Sequence, residues 1–127
     1  ALNDREAAAN PEMAEAVSGK GTQLLSESAA RSGTKHFVFM STAHVYGSPL
    51  VGEFSETSDT KCTHPYATSH LSGENVVAQF HQRGDFLGIR LRCANGFGFP
   101  QDRSANIWHA LVNDLCKQAV EQGSNHR

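Results

Sequence analysis

No apolar run in this 127-residue chain approaches the length of a membrane span, and no charged-then-apolar leader opens it. No membrane partner is therefore expected. There is also no basic tract or stripe: 11 Lys and Arg face 13 Asp and Glu, giving a net charge of −2. That balance offers nucleic acid no electrostatic footing. Cysteine is scarce. Cys62, Cys93 and Cys116 are far apart, odd in number, and form no Cys-x-x-Cys pair. They read as reduced thiols of a cytoplasmic protein rather than a disulfide framework. Zinc-ligand spacing is missing too. The seven histidines are scattered, so no metal site is expected. Internal repeats and low-complexity segments are absent. The opening Ala-Leu-Asn-Asp has no initiator Met, which suggests a processed chain or a piece of a longer one.

What is present suits one domain with a real core. Asn10-Pro11-Glu12 reads as a helix start: a cap residue, a proline at the first helical position, and an acid in the first turn. Met13, Val17, Leu24, Leu25 and Ala29 follow, and Gly33 ends the element. Gly19 and Gly21 interrupt it, at about 1 kcal/mol each against Ala. They imply either close packing on another backbone or a weak helix. Phe37-Val38-Phe39-Met40 is a short continuous apolar run, as in a strand buried on both faces. A loop rich in Gly, Ser and Thr leads to Pro65. The stretch "HPYATSHLSGENVV" then begins a helix over 65–83, with Gly84 as its stop. "FLGIRLRC" (86–93) is a second strand, and a last helix runs from near Ser104 to near Gly123. Helix, strand, helix, strand, helix is an α/β order. Two strands make a poor sheet. The chain therefore reads as the middle of a larger doubly wound fold, or as a module completing its sheet with another copy.

Ligands of open parallel sheets bind beyond the carboxyl ends of the strands. Three segments reach that rim: "STAHVYG", "HPYATSH" and "CANGFG". They bring hydroxyls (Ser41, Thr42, Tyr66), imidazoles (His44, His70) and an amide (Asn95) to one edge. Tyr66 and His70 are four residues apart and share a helix face. The expected arrangement has both turned toward the rim, with Thr42 across the gap.

The ordered set "FVFMSTAHVYG … PYATSHLSGENVV … GIRLRCANGFG" resembles the extended short-chain dehydrogenase/reductase family. More narrowly, it resembles the NAD-dependent nucleotide-sugar epimerases and dehydratases. That family has a Ser/Thr loop ending in Val-Tyr-Gly, then Tyr-x-x-x-Lys with a Glu four residues beyond, then Leu-Arg-x-x-Asn. "NPEMAEAVSGKGTQLLSESAARSG" is similar to its preceding helix. The resemblance implies a Rossmann-type α/β parallel sheet, incomplete, with helices on both faces, and residues 1–127 as a single partial domain. It implies Thr42, Tyr66 and His70 as the catalytic set. Ser41, Tyr66, His70, Cys93 and Ala94 would lie against NAD, and Thr42, His44 and Asn95 against a nucleotide-sugar substrate. A homo-oligomer is expected.

In those roles Tyr66 takes the proton of a sugar hydroxyl while hydride leaves for the cofactor. A phenol with a pKa near 10 is a poor base at neutral pH unless a cation lowers it. Three features depart from the family's pattern. His70 stands where Lys would supply that cation, Ser18 replaces an Asn, and no Gly-x-x-Gly-x-x-Gly turn for a pyrophosphate occurs. The rival reading is a catalytically inactive remnant that binds a partner, or itself, through an exposed sheet edge.

Overall fold

The computed structural model describes residues 2–96, 98 and 111–123. They fall into two compact units that divide the chain between Ala94 and Asn95. In the first unit, an N-terminal helix layer packs on one long helix, and that helix packs on a two-stranded sheet. The helix layer comprises α1 (Asp4–Ala9), α2 (Pro11–Glu15), a π-helical turn (Ala16–Lys20) and α3 (Gly21–Arg31). Strand β1 (His36–Thr42) runs into a 3₁₀ turn (Ala43–Tyr46); α4 (Pro65–Gln82) and β2 (Leu87–Cys93) follow. The second unit holds α5 (Leu111–Gly123), which ends at the expected glycine. Its expected start near Ser104 lies outside the described residues.

Local chemistry explains the element ends. α1 was not expected, although its signal is in the sequence. The Asn3 side chain accepts from the Glu6 N–H, and the Glu6 carboxylate accepts from the Asn3 N–H, a reciprocal capping box. Asn10 caps α2 in the same manner, ahead of Pro11. Of the two glycines of the following segment, Gly19 lies close to α4, where an added Cβ would come 2.9 Å from the Ser72 hydroxyl, whereas Gly21 meets only the Ala16 carbonyl of its own segment at an ordinary 3.5 Å. The buried Ser18 carbonyl sits so near Gly73 of α4 that a Cβ there would lie 2.7 Å from it and 2.5 Å from the Phe39 ring. After α4, Gly84 turns the chain at φ 79°, a conformation that suits glycine.

β1 and β2 pair in parallel, from His36 opposite Leu87 to Thr42 opposite Cys93. Alternation puts Phe37, Phe39, Ser41, Gly88 and Arg92 on the face toward α4. Val77 and Phe80 of α4 close on Phe86 there, with Phe37, Phe39, Ala29 and Ala30 around them. The Phe37–Phe86 and Phe80–Phe86 rings stack at 5.0 and 5.6 Å. Removing one such ring costs about 3–5 kcal/mol. The nearby Arg83–Asp85 pair, largely in solvent, is worth less than about 1 kcal/mol. The aromatic cluster therefore dominates that end of the unit.

The opposite sheet face corrects the expectation of strands buried on both sides. Val38 is 52% and Met40 60% exposed, and Leu87, Ile89 and Leu91 are exposed beside them. The helices of the first unit pack on α4 or its helical neighbours and leave these side chains exposed. An apolar run shows that a strand avoids water; it does not show which element shields it.

Candidate functional site

α4 builds the site through the stripe it turns to the sheet. Tyr66, His70 and Glu74 follow one another at single-turn intervals, and each meets a different environment. His64 starts the helix: its Nδ1 accepts from the Tyr66 N–H at 3.2 Å, a cap that sequence reading did not assign. Pro65 then occupies the first turn, where its missing N–H costs nothing.

Tyr66 is half-buried and lines a cavity of about 150 Å³ together with His44, Cys62 and His64. Its ring lies 4.4 Å from that of His70, so the two do share a face. His70 sits deeper than the rim position expected of it. It is 5% exposed, tilted 6.3 Å from the Phe39 ring, and its Nδ1 is 2.7 Å from the Tyr66 carbonyl oxygen. Burial pushes its pKa below the ordinary histidine value, outweighing the carbonyl and Glu74, which act upward. Burial thus favours the uncharged imidazole.

Glu74 is 1% exposed. Arg92 of β2 donates to it from Nε at 3.0 and 3.1 Å and from Nη2 at 2.7 Å, and the Ser41 hydroxyl of β1 donates at 2.6 Å. Burial alone would raise this carboxyl. The Arg92 fork and the Ser41 hydroxyl more than reverse that and hold it below the usual range. Arg92 is raised in turn by its bonds to Glu74. Its guanidinium also lies 4.8 Å from the centre of the Tyr46 ring. The residue that sequence reasoning missed is thus Arg92. Its signal was the Arg90/Arg92 alternation in an otherwise apolar strand, which puts Arg92 on the face turned to α4.

The remaining expected residues divide. Thr42 is buried at the end of β1, where its Oγ1 accepts from the His44 N–H at 3.2 Å and its own proton can still be donated. His44 is exposed on the cavity beside Tyr66. Cys93, opposite Thr42 in register, is exposed, as is Ala94. Asn95 is exposed and belongs to the second unit. Ser41 differs from the others: its hydroxyl is engaged by Glu74, inside the tie between the strands and α4. All three cysteines are free thiols. Among the described residues, no group of three or more His, Cys, Asp or Glu is placed to hold a metal, and no helix is long and apolar enough to cross a membrane.

A second cavity, of about 450 Å³, opens beside Arg92 and Tyr46, with Phe54 stacked on Tyr46 at 5.0 Å. Ligand pockets span about 300–1,000 Å³. The space at Tyr66 falls below that range.

Comparison with known proteins follows the same outline. Residues 3–124 match the profile of the NAD dependent epimerase/dehydratase family. Among curated proteins, none matches the chain in sequence. Similar solved structures include a dTDP-glucose 4,6-dehydratase from Streptomyces venezuelae with NAD bound (TM-score 0.78, 24% identity, 96% of this chain and 36% of that one). A UDP-Glc/GlcNAc 4-epimerase from Campylobacter jejuni matches with a TM-score of 0.70 and 24% identity, over 96% of this chain and 38% of its own. RMD from Pseudomonas aeruginosa, complexed with NADPH, matches at 0.77 and 23%, over 97% and 42%. These likenesses show a shared Rossmann-type α/β fold. The chain spans well under half the length of each.

Proposed function

Because the chain belongs to the NAD dependent epimerase/dehydratase family, we propose that it is the Tyr66-bearing portion of an enzyme acting on a nucleotide sugar. The chemistry is a transient hydride exchange with NAD. The observation that carries this reading is the tilted 4.4 Å contact of the Tyr66 and His70 rings on the first turns of α4, with Tyr66 lining a cavity beside His44. Tyr66 takes the proton of the sugar hydroxyl, and Thr42 donates to the same oxygen and orients it. His44 meets the substrate. Ser41, Cys93 and Ala94 stand on the cofactor side; for Ser41 this is a backbone role, since Glu74 holds its hydroxyl.

The donor set fits one end of NAD. The Tyr66 phenol and the His70 ring suit ribose hydroxyls, and exposed Cys93 and Ala94 leave space at the strand end. NAD, when bound, supplies the hydride acceptor. For the pyrophosphate, the 127 residues contain no glycine-rich turn. The 127-residue chain is therefore expected to bind NAD weakly or not at all, and micromolar binding by calorimetric titration would count against this. Turnover of nucleotide sugars with NAD, followed by nicotinamide absorbance and product analysis, tests the reading. Tyr66→Phe should lower it by about 10²–10⁴-fold. A Tyr66→Phe protein as active as its parent overturns the assignment.

A second reading is favoured by the open sheet face carrying Val38, Met40, Ile89 and Leu91. Here the chain is an inactive remnant that serves as an interaction module. In both readings we place it in the cytoplasm as a homo-oligomer, with its two units as parts of one Rossmann-type domain.

A further inference from the structure

The start of a helix leaves N–H groups that no intrahelical carbonyl can meet. In α4, Pro65 has no N–H to satisfy. Ala67 and Thr68 donate to the His64 carbonyl at 2.9 and 3.0 Å. The Tyr66 N–H goes instead to Nδ1 of the His64 ring, at 3.2 Å. That bond fixes the tautomer. A neutral imidazole has one accepting and one donating nitrogen, so Nδ1 holds the lone pair and Nε2 the proton. The residues usually found at this position are Ser, Thr, Asp and Asn, whose oxygens still accept at mildly acidic pH. An imidazole does not, because both nitrogens of the imidazolium donate. It would then face the Tyr66 N–H donor to donor, at the positive end of α4.

We infer that His64 is a positioning residue for Tyr66, and that its cap opens when the ring takes up a second proton. His64 is exposed, so protons reach it from solvent. The titratable groups that share its cavity are Asp4 of α1, His44 of the 3₁₀ turn, Cys62 of the preceding loop and Tyr66 itself. Asp4 is the carboxylate among them, and a charged His44 acts against it. Ala67 and Thr68 keep their bonds to a carbonyl that does not titrate. The helix therefore stays in acid, and what is released is the residue whose phenol lines the cavity. That this phenol is a catalytic base rests on the reading above; the cap and its loss in acid do not.

NMR of the ¹⁵N-labelled 127-residue chain between about pH 8 and about pH 5, the range in which histidines titrate, tests the inference. At the upper end the His64 ring, assigned by its loss in His64→Asn, should carry its proton on Nε2. On acidification the Tyr66 amide, corrected for intrinsic exchange, should lose protection by about 2- to 30-fold. That loss should follow the same curve as the His64 ring signals, and the Tyr66 ring signals should move with it. The Ala67 and Thr68 amides should hold their protection. His64→Asn, which keeps an acceptor at the cap, should hold the Tyr66 amide through the whole range, and His64→Ala should leave it unprotected at both ends. A proton on Nδ1 at the upper end overturns the inference. So does a Tyr66 amide that ignores the His64 titration, or one that still responds to acid in His64→Asn. If the amide responds but the Tyr66 ring does not, the positioning role is overturned. None of these readouts involves turnover or NAD. A Tyr66→Phe protein as active as its parent would remove the proposed function and leave the cap and its titration standing.

Discussion

The carboxylate of Glu74 has four hydrogen bonds from two strands and almost no water. Such a group is costly when its cation is removed and inexpensive while the cation stays. Arg92→Ala should therefore destabilise the fold by about 3 kcal/mol, the lower end of the range for breaking a buried pair because Arg92 keeps some exposure. Urea unfolding checks this; a loss below about 1 kcal/mol would mean that water reaches Glu74. Acid acts on two groups in sequence. His70 has a folded pKa below 6.5, so its contribution is complete above that value and is lost as pH falls through the lower folded one. Glu74, also lowered, behaves in the same sense beneath 4.5. The urea midpoint should decline in two stages on acidification, and His70→Gln should flatten the first. A midpoint that rises from about pH 7 to about pH 5.5 contradicts the direction of the His70 shift. At this scale the sequence was only partly legible. Four-residue spacing told which face Tyr66 and His70 share, but spacing carries no depth. That His70 lies against Phe39, and that Ser41 is engaged by Glu74, depends on how closely the helix approaches the sheet.

Elements were easier to read where a local device starts or stops them. Pro65 and Gly84 bracket α4, and the Phe37–Met40 run lies inside β1. Even α1 was legible, because its capping box needs only Asn3 and Glu6. What could not be read is which elements touch. Gly73 looks like a defect in the middle of α4, yet both the Phe39 ring of β1 and the Ser18 carbonyl of the π-helical turn press on that helix there. Gly73→Ala adds helix propensity on paper. In the folded chain the new methyl meets a backbone carbonyl that cannot swing aside, so a net loss of about 1–3 kcal/mol is expected. Thermal unfolding decides between them. A variant more stable than the parent would show that the two helical segments can part without cost.

On the scale of the whole molecule, the fold class followed from the alternation of elements, and the family followed from three motifs in order. The open sheet face did not, since whether an apolar strand is covered depends on elements that the strand itself does not encode. Val38, Met40, Leu87, Ile89 and Leu91 form an exposed apolar row on two paired strands. The 127-residue chain should therefore associate in solution. Light scattering is expected to give a dimer or larger species, and Met40→Lys with Leu91→Lys should shift it toward monomer. A parent that stays monomeric over a wide concentration range contradicts this.

The register of the sheet also sets a timescale. Each paired position joins residues 51 apart, and α4 lies between them. Helices form from neighbours within microseconds or less, whereas a parallel pair must first close its whole intervening loop. The expected order of events is then α4 and its helical neighbours first and the β1–β2 pairing last. Until that pairing closes, Ser41 and Arg92 are not both in place, and Glu74 waits in solvent. A carboxylate that is mute in the finished fold thus becomes a reporter of the final step. Its protonation in a refolding jump to low pH should slow the closing of the sheet and leave the helical burst untouched.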